Sequence, residues 1–506
     1  MTQISAFEKN KLPLITALLQ LNTAGRFSWH MPGHHSGRQW PVWLRDNLHL
    51  LDTTELSSSD DLMAPTGPAL ESLRHVSELC GAGWSRYLTC GSTSGILAML
   101  AAYPGRGGRV LMSPVCHQSV MHAAALLDFK IGWIKPDLWP VAPTADEEPL
   151  TLLPQVGLAD VQKAAADFGA FDAVFLTSPD YYGSCAEVKA IAEYAHARNA
   201  SVLVDEAHGA HLSVMHQALP VSALRQGADI CVQSLHKTLP ALTPAAMLHV
   251  SAESCASGRV DLARVQNALK VFHTTSPSFV IAASAEYAEY WLHEHAGDYV
   301  EKVIERIRRM AVHLEDDYVF APVDRISSES MAARDPLRVV LQHRDRRDIG
   351  PTARFLASKG IDVEMNDTTR LVLIPAIDQT EEEFAVLTET LLHASRDCEN
   401  AKLSAAQLDR LHKLDSEWRH LVAEAPDIQI APGNAMLCTN DLLLVDLDAA
   451  AGYIAAGSVV PYPPGIPLVW PGEKLSPEKL DFINKLGENG VNLIGTSNKK
   501  LHVLCR

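Results

Sequence analysis

Between residues 81 and 249, short apolar runs alternate with stretches whose apolar positions fall three and four residues apart. Residues 171–177 (FDAVFLT) read as a strand, and in the segment after it Val188, Ile191, Ala192 and Ala195 share one helical face. Residues 201–205 (SVLVD) and 228–233 (ADICVQ) are two more buried-strand candidates. Strands separated by helices predict βαβ units, and so an α/β fold with a mainly parallel sheet covered on both faces. Ligands of such sheets bind beyond the carboxyl ends of the strands. Polar residues collect there: Ser178 after the first run, Asp205 at the end of the second, and Ser234-Leu235-His236-Lys237 after the third.

Residues 286–314 carry a long, charged helical pattern that reads as a bridge out of this region. Strand patterns at 337–342 and 370–375, with helical ones at 351–359 and 381–396, predict a smaller α/β unit. A further helical stretch at 402–424 opens a last unit. The expected division is a large domain with its N-terminal segment (1–296), a small α/β domain (297–396) and a C-terminal domain (397–506).

Composition narrows the function classes. The chain has 506 residues, 47% hydrophobic and 20% charged, which suits a folded protein of more than one domain. Its formal charge of −17 offers no basic surface for phosphates, so nucleic acid is an unsuitable partner and a cationic small molecule a natural one. The nine cysteines form no C-x-x-C pair and read as reduced thiols of a cytoplasmic protein. The first twenty residues lack a secretory pattern, and the most apolar late stretch (AAAGYIAAGSVVPYPPGIPLVW) is broken by Gly and Pro, so no membrane span is expected.

Three segments could carry chemistry. Thr89-Cys90-Gly91-Ser92-Thr93-Ser94-Gly95 precedes an apolar helix at 96–102, and a Gly-Ser-Thr turn there offers N–H groups, hydroxyls and the positive helix end to an anion. It is no P-loop, so Asp205-Glu206-Ala207-His208 is not read as a helicase box. His208 with His211, and His30 with His34 and His35, lack the spacing of a zinc site, and no metal is expected. Lys237, in a polar loop after a buried strand, is a candidate Schiff-base lysine, because imine formation needs a neutral amine. The same sheet holds a phosphate-type helix start and a carboxylate at a strand end. Those are the requirements of pyridoxal phosphate: an amine, a phosphate cradle, and an anion that keeps the ring nitrogen protonated.

The chain also resembles the Orn/Lys/Arg decarboxylases of the aspartate-aminotransferase-like fold, in the shorter bacterial form without a receiver-like N-terminal domain. Nine segments carry the resemblance in order: MPGHHSG, DTTEL with DDL, CGSTSGI, CHQSV, TSPDYYG, VDEAHGAH, ADICVQSLHKTLPALT, TTSPSF and VPYPPGIP. It implies that Lys237 carries the cofactor, that Asp205 pairs with the pyridinium nitrogen, and that His117 stacks on the ring with Ala207 opposite. Gly91, Ser92 and Thr93 would hold the phosphate, with Ser234 and His236 as further contacts. Thr275 and Ser276 would reach the phosphate of a neighbouring subunit, since the family's sites lie at a dimer interface.

The implied activity is decarboxylation of a basic amino acid, arginine ahead of lysine and ornithine, within amino-acid metabolism and polyamine synthesis. His208, His236 and Lys237 are the candidate donors of the Cα proton. Glu473, Asp60 and Asp61 are candidates for the distal cation. The chain departs from the family pattern at His35 and Gln118, where Lys is usual, and at Asp180, where Thr is usual; a longer or more cationic substrate is the expectation. Two rivals stand beside this reading: an aminotransferase or lyase on the same cofactor, and a non-catalytic regulatory homologue.

Overall fold

A computed structural model describes residues 11–23, 25–136, 140–141, 150–151, 155–321, 333–399, 404–437, 442–462 and 464–505. Residues 1–10, 402–403, Cys438 and Pro463, which belong to segments named above, lie outside that set.

The alternating region forms a seven-stranded sheet: β1 (Ala82–Leu88), β2 (Arg109–Met112), β3 (Lys130–Trp133), β4 (Ala173–Thr177), β5 (Ser201–Asp205), β6 (Ile230–Gln233) and β7 (Ala246–Ser251), in the order β1-β7-β6-β5-β4-β2-β3. The strands from β3 across to β6 pair in parallel, as the pattern predicts. β7 runs antiparallel to both β6 and β1. Only a four-residue helix lies between β6 and β7, and no helix long enough to cross over a face of the sheet joins them. Both faces are covered. On β5, Leu203 enters one hydrophobic core while Val202 and Val204 enter another, so Asp205, two residues beyond Leu203, falls on the Leu203 side.

Helix α1 (Ser92–Ala102) starts just after β1 and is buried at Ser94, Gly95, Ile96, Ala98, Met99, Leu100 and Ala102. Such all-round burial needs a small residue where helix meets sheet. A Cβ on Gly95 would lie 2.4 Å from Leu88 Cδ1 and 3.0 Å from Val232 Cγ1. Gly91, just before α1, has φ +80°, which glycine adopts without strain. Helix α2 (Gln118–Leu127) packs beside α1, and α3 (Leu235–Thr238) follows β6 directly.

Helix α4 (Phe279–His313) runs unbroken through residue 296, where the first expected division falls. Beyond it an antiparallel sheet orders Tyr318–Phe320, Val339–His343, Arg370–Leu373 and Met365–Asn366. The N-terminal strand Phe27–Trp29 pairs in parallel with Ile361–Val363, and Trp29 meets Phe384 edge-on at 4.8 Å. The N-terminal segment is thus tied into the smaller unit. The last unit joins the helices Ala405–Ala423 and Pro477–Glu488 to a small antiparallel sheet through Leu414, Trp418, Phe482 and Val503. No described helix is long and apolar enough to cross a membrane.

The packing of α1 leads to a stability test. Gly95→Ala is expected to cost about 1–3 kcal/mol, because the added methyl must displace Leu88 and Val232. Gly297→Ala, inside α4 with nothing within 4 Å of the new methyl, is expected to gain about 0.5–1 kcal/mol. Denaturant unfolding of the two variants checks both signs.

Candidate active site

The ends of β1, β4, β5 and β6 open onto a cavity of about 270 Å³ lined by Gly91, Ser92, Thr93, His117, Asp180, Tyr181, Asp205, Ala207, His208, His236 and Lys237, with Pro464 and Ile466 from the C-terminal unit. The sheet therefore gathers residues far apart in sequence. Ser234 is the N-terminal cap of α3; it is fully buried and its Oγ has no hydrogen-bond partner among the described residues, but it does not line the cavity. Thr275 is exposed and also lies off the cavity.

Lys237 is presented by α3, and the N-terminal segment holds α3 in place. The N–H of Gly33, in the MPGHH segment, donates to His236 O at 2.8 Å. A Cβ on Gly33 would come within 2.7–2.9 Å of the Thr238 and Leu239 backbone, so only glycine permits this approach. Burial pushes the Lys237 amine down to about 8; Asp205 opposes that shift and Arg338 adds to it. Burial likewise raises the Asp205 carboxyl, and Lys237 lowers it. Asp205 Oδ1 accepts from Ala207 N at 3.1 Å.

The histidines are fixed in distinct tautomers. Arg338 Nη2, which can only donate, reaches His208 O at 2.8 Å and His208 Nδ1 at 3.2 Å. Burial, Lys237 and Arg338 hold His208 well below the usual imidazole range, so the ring is neutral and carries its proton on Nε2. That Nε2 lies 3.0 Å from Lys237 Nζ. An N–H there needs a lone pair opposite, so the contact selects the free amine over the ammonium. His236 has the reverse arrangement: Nδ1 lies 2.9 Å from the carbonyl of Ala245, so it carries the proton and Nε2 is bare. His236, pushed to about 4 by burial, therefore offers no Nε2 proton. His117 caps α2 by accepting from Ser119 N at 3.2 Å through Nδ1, and it lines the cavity as well.

Tyr181, Arg338 and Glu364 escaped sequence reasoning. Tyr181 packs its ring 4.7 Å from that of His208 and donates to Glu364, which also accepts from Met31 N at 3.0 Å. Arg338 is fully buried, with Asp335 3.9 Å from its Nη1 and His211 3.2 Å from Asp335. A buried polar chain thus runs from Lys237 through His208, Arg338 and Asp335 to His211. Arg338 stands in an otherwise apolar strand pattern, and its charge among Leu337, Val339 and Val340 was the one signal in the sequence.

Three expected substrate contacts are corrected. Glu473 is buried against Lys479 and accepts from Trp470 N at 2.9 Å. Asp60 accepts from the N–H groups of Asp61, Thr66, Gly67 and Ala69, and Asp61 from those of Met63 and Ala64. These carboxylates build turns and a core ion pair, and none lines the cavity. Of the three departures from the family pattern, Asp180 lines the cavity, while His35 and Gln118 do not. Asp180 Oδ1 accepts from Tyr182 N and Ser184 N at 2.9 and 2.8 Å, and burial pushes its carboxyl up to about 6.

The residues present fit pyridoxal phosphate. The first turn of α1 points backbone N–H groups without helical partners, and two hydroxyls, at one end of the cavity. A buried carboxylate stands in the same cavity, where a cation would offset its burial, beside a lysine whose amine is partly unprotonated.

Comparison with known proteins gives concordant results. The Orn/Lys/Arg decarboxylase major domain matches residues 12–382, and the Orn/Lys/Arg decarboxylase C-terminal domain matches 416–495. The protein YaaO of Bacillus subtilis is 29% identical, over 94% of each chain. Arginine decarboxylase of Bacillus anthracis is 26% identical, over 100% of this chain and 98% of its own. The solved lysine decarboxylase A of Pseudomonas aeruginosa superposes with a TM-score of 0.73 at 19% identity, covering 98% of this chain and 81% of its own, a likeness of fold.

The tautomer assignment can be tested directly. Nitrogen-15 shifts of His208, identified by their loss in His208→Asn, are expected to show a single Nε2–H form in the wild type and a mixture in Arg338→Met. An Nδ1–H form in the wild type would refute the assignment.

Proposed function

The chain belongs to the Orn/Lys/Arg decarboxylase family, and on that premise we propose that it removes the α-carboxyl group of a basic amino acid, arginine ahead of lysine and ornithine, with pyridoxal phosphate carried on Lys237. The observation that carries this reading is the meeting, in one cavity, of a partly unprotonated lysine, a buried carboxylate and a hydroxyl-bearing helix start.

When bound, the cofactor supplies an aldehyde for amine capture and a ring that accepts the electron pair released with carbon dioxide. The protein residues do the rest. Gly91, Ser92 and Thr93 would hold the phosphate at α1, with Ser234 as a further contact, and Asp205 would keep the ring nitrogen protonated. His117 and Ala207, which both line the cavity, would flank the ring when it is bound. His208 favours the unprotonated form of the Lys237 amine, the form that captures an aldehyde. The proton delivered to Cα then comes from Lys237 or from His208 Nε2, while the His236 tautomer withholds one.

An aminotransferase must keep its substrate carboxylate, usually on an arginine. Among the described residues lining the cavity Lys237 is the one lysine or arginine, and Arg338 is engaged by His208 behind it. That favours loss of the carboxylate over its retention. Among the described residues the carboxylates lining the cavity are Asp180 and Asp205, with Asp205 assigned to the ring, so the distal cation meets Asp180 or groups from a second subunit. We place the site at the interface of a homodimer or larger homo-oligomer, with Thr275 and Ser276 exposed toward the partner and Leu14 and Ile15 of the helix Pro13–Thr23 exposed as well. A cytoplasmic setting and a three-part organisation with divisions near 296 and 396 belong to the same proposal.

Purified protein is expected to be yellow with bound cofactor and to release carbon dioxide from arginine faster than from lysine, ornithine or diaminopimelate. Lys237→Ala is expected to lose the colour, and turnover should fall by roughly 10²–10⁴. Keto-acid formation in place of carbon dioxide would favour the aminotransferase. A colourless wild type that pyridoxal phosphate cannot restore would overturn the proposal.

A further inference from the structure

Away from the cavity, three metal-ligating side chains meet inside the protein. Cys80 is the last residue of the helix Pro68–Cys80, and Glu289 and His293 stand one turn apart on α4, the i, i+4 spacing that places two ligands on one helical face. Cys80 Sγ lies 3.5 Å from Glu289 Oε2, and His293 Nε2 lies 3.7 Å from the same oxygen. The three donor atoms all fall within 4.8 Å of one another. None of these residues lines the catalytic cavity.

The arrangement is costly as it stands. Glu289 is fully buried, and among the described residues its Oε1 has no hydrogen-bond partner; His293 Nε2 has none either. Burial raises the Glu289 carboxyl to about 7, lifts the Cys80 thiol well above its usual value and depresses His293 to about 4. Unpaired polar atoms in such a place are costly, because burial takes away the water that would otherwise satisfy them.

We propose that Cys80, Glu289 and His293 bind one divalent metal ion of the zinc class, clamping the end of the helix Pro68–Cys80 to α4. The distances suit such an ion. Metal–ligand bonds of ~2.1–2.3 Å in a tetrahedron place the ligand atoms about 3.4–3.8 Å apart, and the two edges at Glu289 Oε2 have that length. Thiolate, carboxylate and imidazole together suit zinc or cobalt rather than magnesium or calcium, which prefer oxygen alone. A 2+ ion with one thiolate and one carboxylate is neutral, so the Arg225 guanidinium, which packs against Gly81, does not oppose it. Binding displaces the thiol proton, and any proton on Glu289, to solvent. Three protein ligands leave the fourth position to water.

Cobalt(II) added to metal-depleted holoenzyme tests the site, with the difference spectrum taken against the same protein in magnesium so that cofactor absorbance cancels. The expected result is one cobalt per chain, a thiolate-to-cobalt charge-transfer band, and loss of that band when zinc is added. Cys80→Ser is expected to abolish the band, and His293→Ala and Glu289→Gln to weaken binding at least tenfold, with circular dichroism reporting the fold of each variant. The half-buried His293→Ala decides the matter if Cys80→Ser fails to fold. No thiolate band in the wild type, a band that survives in folded Cys80→Ser, as the exposed Cys90 and Cys505 would give, or unchanged affinity in His293→Ala would each overturn the proposal.

Discussion

An amine removed from water loses much of its hold on a proton, and the catalytic region is organised around that constraint at Lys237. Its descent from 10.5 to about 8 favours the free amine by roughly 3 kcal/mol, so at neutral pH about a tenth of the molecules carry it, some 300 times the share of an exposed lysine. Burial alone would be indiscriminate. His208 gives it direction, because its Nε2–H faces Nζ, and Arg338 prevents that ring from exchanging its proton to the other nitrogen. The oppositely charged Asp205 and Glu364 stop the depression from going further. The amine is thereby left responsive to pH near neutrality, which suits a group that must both capture an aldehyde and return a proton.

The same constraint explains why distant parts of the chain converge. Lys237 sits on a helix of four residues, too short to hold a position by itself. The N-terminal segment supplies Gly33, whose backbone lies against α3 at a distance that no side chain would allow. Residues 333–399 supply Arg338 and Glu364, and the C-terminal unit closes the cavity with Pro464 and Ile466. Each unit of the fold thus has a part in the environment of one nitrogen atom.

How much of this the sequence disclosed follows from the range of each interaction. Asp205 and Lys237 were legible because a strand end fixes their place by local pattern, and the parallel strands β4, β5 and β6 were legible for the same reason. The antiparallel β7 was not, since it depends on the course of the connection and on the pairing with the distant β1. Arg338 and Glu364 reach the site from a second sheet and its neighbouring turn, so spacing could not announce them. Cys80 and Glu289 are 209 residues apart and meet only through the packing of two helices, whereas His208 and His211, close in sequence, serve different partners. Glu473, Asp60 and Asp61 show the opposite error: acidic residues in family motifs that turn out to secure turns and a core ion pair.

The central claim is that the fold makes Lys237 a partly free amine before any cofactor arrives. Its most direct measurement is the pH dependence of the rate at which cofactor-free protein becomes covalently linked to pyridoxal phosphate, trapped by borohydride and located by peptide mapping. The account requires linkage at Lys237 with a rate that rises through a midpoint near pH 8. A midpoint at the ordinary lysine value of 10.5, or linkage at another lysine, would contradict it.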